Sequence, residues 1–146
     1  MRVQSICSVS VMVAALFAAS PALAGTVEVV LTDVRPDAGD LYVGLQTEDQ
    51  FLKDGGVAGE IVENPQTGTV TVMLRDLPDG RYSLSVWHDI DGDKTFSMGP
   101  EGPTDGWAMV GGAELRGMPV FEQQSFIIDG GPVTIRERMI YGREER

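Results

Sequence analysis

The feature that most restricts this chain's fold is a two-residue hydrophobic period, interrupted at short intervals by glycine and proline. Alternation at that period sends successive side chains to opposite faces of a strand. Val27, Val29 and Leu31 alternate with Glu28 and Thr32, and the turn Arg35 to Asp40 follows, with Pro36 and Gly39 setting its backbone angles. Leu41, Val43 and Leu45 then alternate with Tyr42, Gly44 and Gln46. Glu60 to Glu63 reads as a short strand, and Asn64 to Gly68 turns it into a run, Thr69 to Arg75, that puts Val70, Val72 and Leu74 on one face. A Leu77-Pro78-Asp79-Gly80 corner introduces a strand on which Tyr82, Leu84, Val86 and His88 share the core side and Trp87 takes the other. Tyr82 is expected to bury its ring and bond its hydroxyl back across the corner. Gln124 to Ile128 and Val133 to Tyr141 flank Asp129-Gly130-Gly131-Pro132, which reads as a final hairpin. No helical period outlasts a turn or two. The pattern predicts an all-β chain, an antiparallel β-sandwich of about seven strands.

The first residues read as an address. Met1-Arg2 precedes an apolar run from Ile6 to Ala19, and Ala22-Leu23-Ala24 has the small-x-small form of a cleavage site. Residues 1–24 are expected to be a signal peptide cleaved after Ala24, residues 25–141 one sandwich domain, and 142–146 a tail. The apolar run falls short of the ~20 residues that span a bilayer, so the mature chain is expected to be periplasmic or secreted rather than membrane-spanning. Cys7, the single cysteine, lies in the leader. The exported part therefore has no disulfide, thiol nucleophile or cysteine metal site to draw on. Lys and Arg number 11 against 22 Asp and Glu, a net charge of −11, and loss of Arg2 makes it more negative. Such a chain is not expected to bind nucleic acid, whose phosphates need a basic surface.

One stretch resists the strand reading. Lys94 to Glu122 shows no sustained alternation, yet Trp107, Met109, Val110, Met118, Val120 and Phe121 are too apolar for a loose linker. A connection of that length in a small domain is usually functional, and this one is expected to fold back over one end or face of the sandwich. Phe51-Leu52, in the charged and glycine-rich stretch before it, is expected to plug one end of the core.

The chemistry concentrates in Trp87-His88-Asp89-Ile90-Asp91-Gly92-Asp93, with Glu101 and Asp105 soon after. Carboxylates at alternate positions of a tight loop can converge on a hard cation such as calcium. Asp89, Asp91 and Asp93 match the first three ligand positions of helix-flanked calcium loops. Those loops then need glycine at the sixth position and glutamate at the twelfth; here Lys94 and Pro100 stand there, with Glu101 one place late. The motif is thus not that loop, but an oxygen-rich site of Asp89, Asp91 and Asp93, completed by Glu101 or Asp105, is the expectation, with extracellular-type affinity of ~10⁻⁴–10⁻³ M. The competing reading is a solvated acidic turn. His88, the only histidine, invites an acid–base role, but no nucleophile motif accompanies it, and a strand-end histidine that pins a turn is the preferred reading. Trp87 and Trp107 offer either a platform for sugar rings or buried packing.

Leu77-Pro78-x-Gly80-x-Tyr82 running into Val86-Trp87-His88-Asp89-x-Asp91-Gly92-Asp93 resembles the exported bacterial proteins of domain-of-unknown-function family 2141. Gly102-Pro103-Thr104-Asp105-Gly106-Trp107 and Met118-Pro119-Val120-Phe121 resemble that family too, and the likeness runs from Gly25 to about Tyr141. It departs at Asp105, where the family resemblance would place Glu, and at Met109, where it would place an aromatic residue. The resemblance implies a small transthyretin-like or immunoglobulin-like sandwich and no assigned activity. Together the residues and the resemblance lead to an exported, non-enzymatic binding or structural module. Its acidic loop would be stabilised by calcium, it needs no organic cofactor, and its partner would be an envelope protein or glycan. A carbohydrate-binding module that uses His88 and Trp107, and a hydrolase built on His88, are the alternatives.

Overall fold

A computed structural model of the protein describes residues 24–142. All of the expected signal peptide except Ala24, and the tail beyond Gly142, lie outside the described residues.

The described chain is all-β. Its strands are β1 (Gly25–Thr32), β2 (Leu41–Gln46), β3 (Ala58–Val62), β4 (Val70–Leu77), β5 (Gly80–His88), β6 (Met98–Gly99), β7 (Gly102–Pro103), β8 (Gly106–Ala108), β9 (Ser125–Ile128) and β10 (Pro132–Arg138). Seven of them have four residues or more, in keeping with the expected number. One sheet has the order β10-β1-β4; the other runs β3-β2-β5-β8, with β9 pairing the other half of the β5 edge that β8 occupies. The two sheets close on a single core. Val27, Val29 and Leu31 of β1 and Val70, Val72 and Leu74 of β4 meet Leu41, Val43, Leu45, Leu84 and Val86 of the second sheet. These are the side chains that the period of two assigns to one face, and their burial is what holds two half-apolar sheets together.

Tyr82 is buried and its hydroxyl donates to Pro78 O at 2.9 Å, so it closes the corner as expected. The segment Lys94 to Glu122 also folds back, contributing β6, β7 and β8 and covering part of the second sheet.

Two expectations need correction. β9 and β10 do not form a hairpin: β9 pairs antiparallel with β5, while β10 pairs parallel with β1 in the other sheet. Gly130 takes a left-handed φ of 64°, and its N–H donates to Asp79 Oδ1 at 2.7 Å. The Gly-Gly sequence supplies a sharp redirection of the backbone, and that serves a crossing between sheets as well as a hairpin. The sandwich is therefore antiparallel except at the β1–β10 pair. Phe51-Leu52 does not plug the core either. Phe51 packs edge-on against the buried Phe121, with ring centroids 5.6 Å apart, and Phe51 and Leu52 line the outer face of the second sheet.

Candidate metal centre and outer-face groove

The acidic loop begins where β5 ends, and the β1–β2 turn anchors it. His88 is in register with Leu41, and the Asp89 N–H donates to Asp40 O at 2.9 Å. Gly39 makes this close approach possible. Its φ is +111°, and a Cβ there would overlap the Asp89 carbonyl oxygen.

Asp89 is 2% exposed. Its Oδ2 accepts the Lys94 N–H at 3.0 Å, whereas its buried Oδ1 has no hydrogen-bond partner. Asp91 Oδ1 accepts the Asp93 N–H at 3.2 Å, and Asp93 Oδ1 accepts the Thr95 N–H at 2.8 Å. One carboxylate oxygen from each of Asp89, Asp91 and Asp93 lies within 4.8 Å of the others, a spacing that lets one cation touch all three. Lys94, at the sixth position, has φ +61°. The sharp turn for which calcium loops use glycine is thus made here by a lysine in the left-handed region.

Asp105 and Glu101 stand apart from that trio. Asp105 is 1% exposed, and its two oxygens accept the Ile90 N–H at 3.1 Å and the Ser97 N–H at 3.0 Å. It ties the two ends of the acidic loop together from within. Glu101 sits exposed in the turn between β6 and β7.

His88 is fully buried, with Nδ1 2.9 Å from Tyr141 Oη and Nε2 3.1 Å from Gly39 O. A carbonyl only accepts, so Nε2 carries the proton and Nδ1 accepts from the Tyr141 hydroxyl. That hydroxyl in turn accepts the Arg35 N–H at 3.0 Å. Every group in this chain of bonds is satisfied by a neutral imidazole. Burial, the largest influence, pushes the His88 pKa below its ordinary value, against the opposing effects of the Gly39 carbonyl and the Asp105 and Asp89 charges. The ring is placed to pin the turn, with neither nitrogen left for a substrate. Its expected place beside Trp107 in a ligand site is therefore corrected: the side chain points into the sandwich, away from the outer face.

That outer face carries a cross-strand row. Ile61, Tyr42, Trp87 and Trp107 are successive register partners across β3, β2, β5 and β8. Tyr42 and Trp87 stack with centroids 4.0 Å apart and planes 5° from parallel. The Trp107 ring lies against Gly112, where an added Cβ would come within 3.1 Å of its Cζ3. The neighbouring row is Gly59, Gly44 and Ser85, with almost no side chain. Large rings beside a bare floor leave a groove of about 1010 Å³, walled by Phe51 and Leu52 on one side and by Met109 and Met118 on another.

The model of the bacterial family described as "Uncharacterized protein conserved in bacteria (DUF2141)" matches residues 29–136. The chain belongs to that family. The DUF2141 match takes in both the acidic loop and the row from Tyr42 to Trp107. No curated protein and no solved structure matches the chain.

Sequence reasoning missed three things about this DUF2141 chain: the orphaned oxygen of Asp89, the stapling role of Asp105, and the part Tyr42 plays. Only the last left a signal. Alternation places Tyr42 opposite Leu41 and Val43, on the face that Trp87 also occupies. The bonds of Asp105 to Ile90 and Ser97 depend on how the long connection folds back, which no period encodes.

Proposed function

We propose that this DUF2141 chain is an exported, non-enzymatic β-sandwich of the bacterial cell envelope whose acidic loop holds a calcium ion. Asp89, Asp91 and Asp93 are its carboxylate ligands. The observation that carries the reading is the Asp89 Oδ1 atom, buried and without a partner next to two further carboxylates. A buried anionic oxygen without a hydrogen bond is costly, and a cation is the partner that would remove the cost. The ion would also screen the mutual repulsion of three like charges. Its role is to fix the loop, and through it the long connection, against the sandwich. Export is supported by the A-x-A sequence that ends at Ala24, directly before the first residue of β1. Among the described residues no helix is long and apolar enough to cross a membrane.

The test is thermal unfolding after chelation, repeated with calcium or magnesium at about 10 mM. At tenfold excess over the dissociation constant, mass action adds about 1.4 kcal/mol, which raises Tm by a few degrees. Calcium should give that rise and magnesium, which demands a stricter octahedral geometry, little of it. No shift with calcium would return the loop to a solvated turn.

A further inference from the structure

We propose that the groove on the outer face of the β3-β2-β5-β8 sheet is a binding site for an uncharged, hydrocarbon-rich small molecule. The proposal is independent of the calcium reading.

The first observation is where the exposed apolar surface lies. Nine large hydrophobic side chains are exposed among the described residues, and six of them, Leu52, Val57, Ile61, Phe96, Met98 and Met118, line this one groove. Met118 is 81% exposed and Met98 66%. Apolar side chains scattered singly over a surface need no explanation, but a concentration of them around one concavity marks an interaction site. The volume of about 1010 Å³ sits at the upper end of the ~300–1000 Å³ typical of small-molecule sites. The methionine and leucine walls are flexible and adapt to an irregular apolar shape.

The second observation is what the lining lacks. Its only charged residues are Lys53, Asp54 and Glu60. Lys53 donates to Asp49 O, and the Gln46 amide is occupied by Lys53 O and Gly55 O, at 2.6 and 2.9 Å. A sugar needs a set of directional polar partners for its hydroxyls, and it needs an open ring face. Here one face of Trp87 is taken by Tyr42, and Trp107 lies against Gly112. An extended peptide needs a free strand edge for its backbone groups. The two central floor strands have none, because β2 is paired on both sides by β3 and β5, and β5 by β2 and by β8 with β9. β3 ends the sheet, and a strand added at its outer edge would extend the sheet beside the floor rather than fill the groove. A molecule with few hydrogen-bonding groups loses least on entering such a site.

The third observation is charge. A chain of net charge −11 repels anions on balance, and the groove's own charged residues, one lysine against two acids, add no net attraction for them. An anionic amphiphile is therefore disfavoured where a neutral one of the same apolar area is not. A second copy of the same acidic chain is disfavoured on the same ground.

The experiment titrates the purified protein with N-phenyl-1-naphthylamine, an uncharged apolar probe, and with its anionic counterpart 1-anilinonaphthalene-8-sulfonate. The chain has two tryptophans, and both line the groove, so energy transfer from tryptophan to the probe reports binding there. The expected result is saturable binding of one neutral probe per chain, at least tenfold tighter than the anionic one at low salt, with the gap narrowing as salt rises. Gly44→Leu should weaken the neutral probe at least tenfold while leaving Tm nearly unchanged. Its Cβ would make ordinary contacts, 3.6 Å from Ala58 O and 3.9 Å from Ser85 O, and the side chain would fill the floor. Ser85→Leu, its partner in the same row, provides a second filling variant should the first fail to fold. Three results would overturn the proposal: no saturable binding, equal binding to both filled variants, or displacement of the probe by a soluble oligosaccharide such as laminarin. Loss of probe binding as the protein dimerises at higher concentration would give the groove to a second copy, and would overturn it as well.

Discussion

Asp89 and Lys94 face each other across a turn of the acidic loop: one carboxylate oxygen of Asp89 accepts the Lys94 N–H at 3.0 Å, and the other is buried with no partner. The pair ties a strained backbone to an unsatisfied charge. Lys94 reaches this bond only by adopting φ +61°, and the geometry that results gathers three carboxylates.

Lys94→Gly should stabilise the protein. A left-handed backbone costs an ordinary residue ~1–2 kcal/mol, while glycine loses ~0.5–1 kcal/mol more entropy on folding. The net gain is about 0.5–1 kcal/mol, read as a higher urea midpoint with an unchanged slope. A lower midpoint would mean that the lysine side chain contributes more than its backbone costs.

Asp91→Asn separates the ion from the fold. Asp91 is exposed, and its Oδ1 accepts the Asp93 N–H, a bond an amide oxygen retains. The variant should unfold at the same temperature as the parent, or slightly higher, in chelator, because one of three repelling charges is gone. Its calcium-dependent rise should vanish. A rise equal to the parent's would remove Asp91 from the ligand set.

Tyr141→Phe removes a hydroxyl that serves two partners, the Arg35 N–H at 3.0 Å and His88 Nδ1 at 2.9 Å. The ring itself stays, packed over Gly106 and beneath the Arg35 guanidinium, whose carbon is 4.2 Å from the ring centroid. Two polar groups left without their partner should cost about 2–3 kcal/mol in chemical denaturation. A loss under 0.5 kcal/mol would show that the network is not a determinant of stability.

His88 gives the stability a pH dependence of known sign. Burial lowers its folded-state pKa below the unfolded value of about 6.5. The unfolded chain therefore binds the proton more readily. The contribution is full above pH ~6.5 and declines as pH falls from there toward the folded-state pKa. Glu137 acts the other way: burial, the largest cause, raises its pKa, so the folded state holds that proton and gains as pH falls toward the glutamate range. The slope should be measured in a Glu137→Gln background. Because the chain has a single histidine, its imidazole nitrogen resonances titrate without overlap. They should show the Nε2–H tautomer and a midpoint under 6.5. An Nδ1–H tautomer would contradict the assigned direction of the Tyr141 bond.

Gly39→Ala and Gly92→Ala form a matched pair. Both glycines have positive φ, +111° and +74°, but a Cβ at Gly39 would overlap the Asp89 carbonyl, whereas at Gly92 it meets nothing within 4 Å. Gly92→Ala should cost ~1–2 kcal/mol of backbone strain alone. Gly39→Ala should cost well above ~3 kcal/mol or prevent folding, since the overlapping atom is backbone and cannot turn aside. Equal losses would mean that the Gly39–Asp89 contact relaxes freely.

By itself, the sequence determined the local terms. Alternation at period two picked out the faces of β1, β2, β4 and β5, and with them most of the core from Val27 to Val86, because a strand's sidedness is set residue by residue. The Leu77–Tyr82 corner was legible for the same reason: donor and acceptor lie four residues apart. The acidic triplet was visible as composition at a spacing. Which strand pairs with which was settled by tertiary structure, since the Asp129–Pro132 turn admits a hairpin as readily as the crossing that sends β10 parallel to β1. Tertiary structure also took Asp105 from a candidate ligand to a staple between Ile90 and Ser97, and His88 from a candidate base to a buried pin against Gly39 and Tyr141. It assembled Ile61, Tyr42, Trp87 and Trp107 from four strands into one row. Each of these depends on contacts between residues distant in the chain, and the energy of such a contact exists only once both partners have been brought together.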